Sequence, residues 1–303
     1  MAKSGRDIRA KEGTGKGVSV NNFGDIEKEF SDFEKSKVVI LPVPYEATTT
    51  YGKGTKEGPK AIIDASRNME LYDEEIDSEP YKIGIHNLKE FREGFGNPQK
   101  MIKALADKAQ GLFSLEKLVI ALGGEHTITL GMVEGLRKRR KDFSILILDA
   151  HADLRNSYEG TKYSHACVTR RLIDNYQIIQ VGIRSLCRKE ADFIKKRNLK
   201  LFYAKDIIGK KDWMKEAISR LPDKIYLSID LDFLDPSIMP AVGTPEPGGL
   251  GWYETLKFLR LLTKEKEILG VDVVELCPTP LDISSSFTAA KLIYKLIAYS
   301  ATT

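Results

Sequence analysis

The stretch Ser-Ile-Leu-Ile-Leu-Asp-Ala-His-Ala-Asp, residues 144–153, joins a short apolar run to three side chains that can bind a metal ion. The apolar half has the length and composition of a buried strand, and the polar half begins where that strand should end. Alternate residues of an extended chain point to the same face, so we expect Asp149, His151 and Asp153 to converge. The stretch therefore predicts a strand of a buried sheet with polar ligands at its carboxyl end.

A second stretch, residues 224–232, has the same arrangement, because the apolar run Lys-Ile-Tyr-Leu-Ser-Ile is followed by Asp-Leu-Asp. We expect Asp230 and Asp232 to share a face in the same way. Four carboxylates and one imidazole at two strand ends would repel one another and lose hydration without a cation among them. The two stretches together predict a metal site rich in oxygen ligands.

A third apolar run, residues 118–122, is followed by Gly-Gly-Glu-His and a predicted helix. Glycines after a strand allow a tight turn toward the crevice where open α/β sheets bind ligands. His126 completes a set of six candidate ligands: His126, Asp149, His151, Asp153, Asp230 and Asp232. Oxygen ligands with two imidazoles and no thiolate favour Mn²⁺ over a structural zinc site. Two such ions about 3.5–4 Å apart can acidify a shared water, which predicts hydrolysis. Capped turns with surface ion pairs are the alternative interpretation.

The whole chain alternates strand-like and helix-like segments. The predicted strands are 38–41, 82–85, 117–122, 145–148, 178–182, 200–203, 225–229 and 270–275. The predicted helices are 59–72, 99–113, 128–139, 165–175, 189–197, 213–221, 253–263 and 288–299. Nearly continuous apolar strands alternating with helices indicate a parallel sheet covered on both faces. We predict one three-layer α/β/α domain over residues 1–303, with a parallel sheet of about eight strands and a polar N-terminal extension at 1–36.

Composition is typical of a globular protein, since 42% of the 303 residues are hydrophobic and 30% are charged. No apolar run reaches the roughly 18 residues of a membrane helix, and the basic start lacks the apolar segment of a signal peptide. Three cysteines without CxxC spacing indicate a cytoplasmic location. The basic run 137–141 closes a predicted helix and offsets its dipole, so with a net charge of +4 we expect neither a nucleic-acid nor a membrane partner.

These segments and three further ones resemble the ureohydrolase superfamily, which includes arginases and agmatinases. The resemblance runs from about residue 38 to the C-terminus and implies the arginase/deacetylase-like fold. It rests on six motifs in order: Gly-Gly-Glu-His (123–126), Asp-Ala-His-Ala-Asp (149–153), Ser-His (164–165), Ser-Ile-Asp-Leu-Asp-Phe-Leu-Asp-Pro (228–236), Gly-Thr-Pro-Glu-Pro-Gly-Gly (243–249) and Asp-Val-Val-Glu (272–275). Any one of these motifs alone would be weak evidence, but together they are specific.

The resemblance implies two Mn²⁺ ions per subunit, bridged by Asp149 and Asp230. The other ligands divide into one pair for each ion: His126 with Asp153, and His151 with Asp232. A metal-bridging hydroxide would attack the guanidinium carbon of the substrate, and Asp153 would help to pass the proton while urea and an amine form. Homo-oligomers, either trimers or hexamers, are also implied.

Three further residues receive roles from the resemblance. His165 matches the position of a proton shuttle, Glu275 would hold the guanidinium nitrogens, and Thr244 would lie near the same group. Glu275 follows an apolar strand-like run, where a free carboxylate is also a natural anchor for a cationic substrate. For His165 the alternative is a helix start capped by Ser164, and for Thr244 it is a plain turn.

The resemblance favours agmatine as the substrate, hydrolysed to putrescine and urea. Arginases have an asparagine that reaches the substrate carboxylate where this chain has Arg155, and the tract 158–167 is more similar to agmatinases. Agmatine, a small cationic guanidino compound, needs no carboxylate clamp. Arg155 could itself pair with a carboxylate, so arginine and guanidinobutyrate stay open as substrates. A non-catalytic metal-binding relative is the alternative from another class.

Overall fold

The computed structural model describes residues 22–210 and 212–301. Its centre is an eight-stranded sheet in which every neighbouring pair of strands is parallel. The strands are β1 (Val38–Val43), β2 (Ile85–Asn87), β3 (Leu118–Gly123), β4 (Ser144–Leu148), β5 (Ile178–Ile183), β6 (Leu201–Tyr203), β7 (Lys224–Asp230) and β8 (Glu267–Val274). Their spatial order is β2-β1-β3-β8-β7-β4-β5-β6. The predicted parallel α/β fold is thereby confirmed.

Helices connect the strands and cover the sheet. They are α1 (Gly58–Ser66), α2 (Pro98–Leu112), α3 (Ile128–Arg137), α4 (Val168–Leu172), α5 (Arg188–Arg197), α6 (Ala204–Ile207), α7 (Trp213–Ser219), α8 (Trp252–Glu265) and α9 (Ser284–Ala301). Short 3₁₀ turns lie at Phe23–Asp25, Thr55–Glu57, Pro80–Ile83, His165–Cys167 and Leu231–Phe233.

The two largest apolar clusters of the described residues lie on opposite faces of the sheet. Alternate residues of β1 belong to different clusters: Val38 and Ile40 to one, Val39 and Leu41 to the other. The first cluster includes side chains of α1, α7, α8 and α9, and the second includes those of α2, α3 and α4. All six residues of β1 are buried, as a central strand covered on both faces requires. The layers therefore follow from the continuous apolar strands.

The second predicted strand is misplaced by three residues. Residues 82–85 were expected to be extended, but Pro80–Ile83 forms a 3₁₀ turn and the strand is Ile85–Asn87. Proline is favoured at the first helical position, and Gly84 takes a positive φ of 86° that ends the turn. The predicted helix 165–175 is also shorter, because it begins as a 3₁₀ turn and its α-helical part is Val168–Leu172.

Part of the predicted N-terminal extension packs on the domain. Phe23 is fully buried, and its amide donates to Asn87 Oδ1 at 3.3 Å. The amide of Gly24 donates to the Ser66 hydroxyl at 2.9 Å. Residues 1–21 lie outside the described residues, so a single domain over 1–303 with a polar extension at 1–36 stays a prediction. Over 22–210 and 212–301, no helix combines the length and apolar character needed to cross a membrane.

The topology places four strand ends side by side. The middle of the sheet runs β3-β8-β7-β4, and each of these strands is followed by predicted site residues. Because parallel strands share a carboxyl edge, those residues meet at one place. Position in the sheet therefore assembles the site from segments far apart in sequence.

Candidate active site

A cavity of about 400 Å³ opens at this carboxyl edge. All but one of the predicted site residues line it: His126, His151, Asp153, Arg155, His165, Asp230, Asp232, Thr244 and Glu275. The exception is Asp149, which is fully buried and contacts the histidines of the site. The structure thus brings the whole predicted set together, while the individual roles stay predictions.

The first group of candidate ligands surrounds Nδ1 of His126. This nitrogen lies 3.0 Å from Asp153 Oδ2 and 3.4 Å from Asp149 Oδ2. Asp230 Oδ2 approaches the same nitrogen at 3.4 Å. His126, Asp149 and Asp153 form an arrangement that could hold a divalent cation, and Asp230 lies beside it.

The second group surrounds Nδ1 of His151. Asp232 Oδ2 lies 2.9 Å from this nitrogen and Asp149 Oδ1 lies 3.6 Å from it. Asp149 therefore belongs to both groups, with Oδ2 facing His126 and Oδ1 facing His151. This is the placement expected of a carboxylate that bridges two ions.

Two buried polar atoms in the first group support a cation there. His126 Nδ1 and Asp149 Oδ2 are both buried and neither has a hydrogen-bond partner. Such orphaned atoms are costly in a folded protein unless a ligand satisfies them. Burial and the neighbouring Asp149 carboxylate raise the pKa of Asp153 to about 7. The donor set is therefore short of positive charge and fits a metal ion.

The chain reaches this geometry by a different path from the extended one expected. The strand β4 ends at Leu148, and Asp153 has a left-handed φ of 50°. On the other side, Asp230 ends β7 and accepts a 3.1 Å hydrogen bond from the amide of Asp232, which lies in a 3₁₀ turn. Both sets of side chains converge, but neither does so along a continuous extended strand. Positive φ at a residue other than glycine is strained, and such positions concentrate at functional sites.

A close backbone approach places His126. The amide of Gly124 donates to the Val43 carbonyl at 3.0 Å, and that of Glu125 donates to the Tyr45 carbonyl at 2.9 Å. A Cβ atom on Gly124 would lie 2.0 Å from that Tyr45 oxygen. Only glycine fits there, which explains the Gly-Gly-Glu-His turn.

A buried hydroxyl and a buried carboxylate orient the His126 ring. Nε2 of His126 lies 3.1 Å from the Ser228 hydroxyl, which in turn lies 2.6 Å from Asp272 Oδ1. A hydroxyl has one proton; if Ser228 donates it to Asp272, its oxygen accepts from Nε2–H. The lone pair of His126 is then on Nδ1, among the carboxylates. Sequence reasoning assigned no role to Ser228 or Asp272, although both are polar residues inside apolar strands.

Glu275 is buried at the cavity wall and also has a left-handed φ, of 67°. Its Oε1 accepts a 2.7 Å hydrogen bond from the amide of His126. Burial, together with the carboxylates of Glu125 and Asp232, raises the pKa of Glu275 to about 8. A buried carboxyl group with a raised pKa in a cavity is suited to a cationic ligand, which would favour its ionised form.

The other predicted residues lie around the cavity. Burial lowers the pKa of the His165 imidazole, whose Nδ1 lies 3.2 Å from the Thr48 hydroxyl. Thr244 Oγ1 lies 3.5 Å from Asp232 Oδ2. Sequence reasoning missed Thr48, since the loop after β1 has no recognisable motif.

Arg155 lines the cavity, and its guanidinium group already contacts an aromatic ring and lies near a carboxylate. Its guanidinium group lies over the Tyr158 ring at 4.8 Å, and its Nε is 3.9 Å from Glu190 Oε2. A second carboxylate, that of Glu246, lies 3.9 Å from His151 Nε2. Glu246 lies in the quoted Gly-Thr-Pro-Glu-Pro-Gly-Gly motif, but sequence reasoning gave it no role.

Fold and site together define a protein of the α/β class with His and Asp groups that could hold a metal ion beside a cavity. The chain belongs to the arginase family, whose sequence profile matches residues 36–298. It is a ureohydrolase, a hydrolase that acts on guanidino compounds.

Relatives with known names agree with this membership. The chain is 39% identical over 295 residues to the N(1)-aminopropylagmatine ureohydrolase of Synechocystis, covering 93% of this chain and 96% of that one. It is 35% identical over 282 residues to the agmatinase of Pyrococcus horikoshii, covering 91% and 96%. Among solved structures, the agmatine ureohydrolase of Thermoplasma volcanium has a TM-score of 0.84 and 32% identity, covering 97% of each chain.

Proposed function

We propose that this protein hydrolyses agmatine to putrescine and urea with two Mn²⁺ ions. The observation that carries the proposal is the position of Asp149 between two ligand groups, beside a cavity with a buried glutamate in its wall. Two divalent ions held by the six ligands would activate a water molecule for attack on the guanidinium carbon. Oxygen-rich ligands without thiolate favour Mn²⁺ for this task.

The side chains around the ions would bind the substrate and move protons. Glu275 would hold the guanidinium nitrogens through charge-assisted hydrogen bonds. Asp153 would take up the proton lost on attack, and His165 would deliver a proton to the leaving amine. Thr244 would contact the guanidinium group from the side of Asp232, which its hydroxyl approaches at 3.5 Å. Arg155, also predicted to bind substrate, lines the same cavity and would pair with the carboxylate of a guanidino acid, a group that agmatine lacks.

A second candidate substrate is N(1)-aminopropylagmatine, supported by the name of the Synechocystis relative and by Glu246. This compound is agmatine with an aminopropyl group on its amine nitrogen, which adds a positive charge at the end away from the guanidinium group. The Glu246 side chain is 38% exposed and lines the cavity, so its carboxylate could bind that extra ammonium group. Arginine and guanidinobutyrate carry a carboxylate instead, which Glu246 would repel and Arg155 would attract.

The test is urea release from Mn²⁺-loaded protein with agmatine, N(1)-aminopropylagmatine, arginine and guanidinobutyrate in parallel. Release from agmatine at the highest kcat/KM supports the first proposal, and a higher value for N(1)-aminopropylagmatine supports the second. The matched variant is Glu246→Gln, which should lower kcat/KM for the extended substrate more than for agmatine. Preference for a carboxylate-bearing substrate would contradict both.

Metal analysis of the same samples distinguishes the non-catalytic alternative. Fewer than two ions per chain at saturating Mn²⁺, with no urea from any substrate, would favour a relative that has lost the reaction. A homo-oligomer (trimer or hexamer), a cytoplasmic location and the absence of nucleic-acid and membrane partners remain part of the proposal.

A further inference from the structure

Glu125 is a buried carboxylate that the proposed reaction does not use. It is 0% exposed, although it lies next to His126 in the chain. Its Oε2 accepts the amides of Ala47 and Thr48, each at 2.6 Å. Its Oε1 accepts the hydroxyls of Thr48 at 2.7 Å and Thr127 at 2.6 Å. Four donors around one side chain fix the position of Glu125 and, through it, of the loop that carries Thr48.

Thr48 links this carboxylate to His165. The Thr48 hydroxyl donates to Glu125 Oε1, and a hydroxyl has only one proton, so Thr48 has none left for a second partner. The Thr48 oxygen can then only accept from His165, and two nitrogens of His165 lie within reach of it. The backbone amide of His165 lies 3.0 Å from Thr48 Oγ1, and its Nδ1 lies 3.2 Å from the same atom.

This proton count determines the tautomer of the imidazole. If Thr48 cannot donate to Nδ1, then Nδ1 carries the proton and Nε2 carries the lone pair. The Ser164 hydroxyl also lies 3.3 Å from Nδ1, but nothing fixes its proton in the way that Glu125 fixes that of Thr48. Because the Thr48 and Ser164 hydroxyls contact Nδ1, Nε2 is the ring nitrogen left to exchange protons with the substrate or solvent.

We propose that Thr48 and Glu125 are positioning residues that hold His165 in the Nδ1–H form, with Nε2 as the proton-exchanging atom. The kinetic part rests on the proposed role of His165 as the group that protonates the leaving amine. With Nε2 basic, this nitrogen takes a proton from solvent and passes it to the amine as the carbon–nitrogen bond breaks. In the other tautomer the basic nitrogen would be Nδ1, facing Thr48 and Ser164.

The kinetic test compares Thr48→Val, which removes the hydroxyl at nearly constant shape, with Thr48→Ser, which keeps it. We expect Thr48→Val to lower kcat at least about tenfold, with KM within about twofold, because a mispositioned acid–base group loses part of its roughly 10²–10⁴-fold contribution. Thr48→Ser should restore kcat to within about threefold of wild type. The control Ser164→Ala should change kcat less than Thr48→Val does. Equal losses for Thr48→Val and Thr48→Ser would overturn the proposal.

A double-mutant cycle asks whether Thr48 acts through His165. If it does, Thr48→Val should have no further effect on kcat in a His165→Ala background. Additive losses would mean that Thr48 has an independent role, and the proposal would be wrong.

A spectroscopic test does not depend on turnover. The chain has only four histidines, so ¹⁵N resonances of their rings can be assigned, with His165→Ala identifying the signal of interest. In protein loaded with diamagnetic Mg²⁺, we expect His165 to be protonated at Nδ1 in wild type and Thr48→Ser, and at Nε2 in Thr48→Val. An Nε2–H form in wild type would overturn the inference. Absence of urea from every guanidino substrate would refute the proposed function instead, leaving this spectrum to decide the tautomer.

Discussion

Ser228 on β7 and Asp272 on β8 are register partners in the sheet, and the Ser228 hydroxyl donates to the Asp272 carboxylate at 2.6 Å. The same hydroxyl oxygen lies 3.1 Å from His126 Nε2. Partners of this kind fix the orientation and tautomer of histidine ligands in metal sites. The pair thus connects the middle of the sheet to the first group of candidate ligands.

Removing this hydroxyl should weaken metal binding. We expect Ser228→Ala to lower Mn²⁺ affinity by about 10–100-fold, because His126 loses the partner that holds its ring. Isothermal titration of metal-free protein measures this affinity. The control is Tyr226→Phe, which removes a second hydroxyl that donates to Asp272, at 2.6 Å, without touching His126. It should cost about 1–2 kcal/mol in unfolding free energy and leave Mn²⁺ affinity within about threefold. Equal effects of both variants on affinity would contradict the prediction.

The shared ligand Asp149 should matter to both ions. Asp149→Asn is expected to leave fewer than two Mn²⁺ per chain and to abolish urea release, because Asp149 belongs to both ligand groups. Asp232→Asn, which alters only the second group, should retain about one ion. Metal content after dialysis and a urea assay measure both effects, and far-ultraviolet circular dichroism checks that each variant is folded. A fully active Asp149→Asn protein would refute the binuclear mechanism.

Glu275 should affect the substrate and not the metal. Its carboxylate belongs to neither ligand group, yet it lines the cavity. We expect Glu275→Gln to weaken agmatine binding by about 10–100-fold, as the loss of a charge-assisted hydrogen bond predicts. Binding is measured by titration of agmatine into Mn²⁺-loaded protein, and Mn²⁺ content should stay at the wild-type level. If the variant binds agmatine as tightly as wild type does, Glu275 is not the anchor.

Sequence alone predicted the parts of the fold that depend on continuous apolar runs. The predicted strands 145–148 and 225–229 agree with β4 and β7, because every residue of β4 and all but the first of β7 are buried. The strand predicted at 82–85 was wrong because Pro80 and Gly84 impose a local turn that outweighs the apolar pattern.

The candidate ligands were predictable because they directly follow apolar strands, and the topology of a parallel sheet brings such positions together. Their supporting residues were not. The contact of Ser228 with Asp272 depends on the register of β7 against β8, which the sequence does not specify. Thr48 and Glu125 are 77 residues apart and meet only because the loop after β1 folds over the turn that follows β3.

The balance of protons and metal ions in the site makes stability depend on pH. In metal-free protein the pKa of Asp153 is raised to about 7 and that of Glu275 to about 8, mainly by burial. Their unfolded values are near 4. Such raised groups give stability that is complete below about pH 4 and is lost as the pH rises through about 7–8. Burial lowers the pKa of His126 and His151, but the neighbouring carboxylates outweigh it and raise the pKa of both. Their contribution to stability is therefore also lost as the pH rises above about 6.5. The pKa of Asp149 is lowered, so its contribution to stability changes only below about pH 4, outside the range from pH 4 to pH 8 considered for the other groups.

We therefore expect the melting temperature of metal-free protein to fall between about pH 6 and pH 8.5, and the increase on adding Mn²⁺ to grow over the same range. Mn²⁺ competes with protons for Asp153 and the two histidines, so its affinity rises as they deprotonate. Thermal unfolding with and without saturating Mn²⁺ at several pH values measures both trends. Asp153→Asn cannot titrate and should flatten the pH dependence of the metal-free protein. A stabilisation by Mn²⁺ that is the same at pH 6 and pH 8.5 would show that protons and metal do not compete for this site.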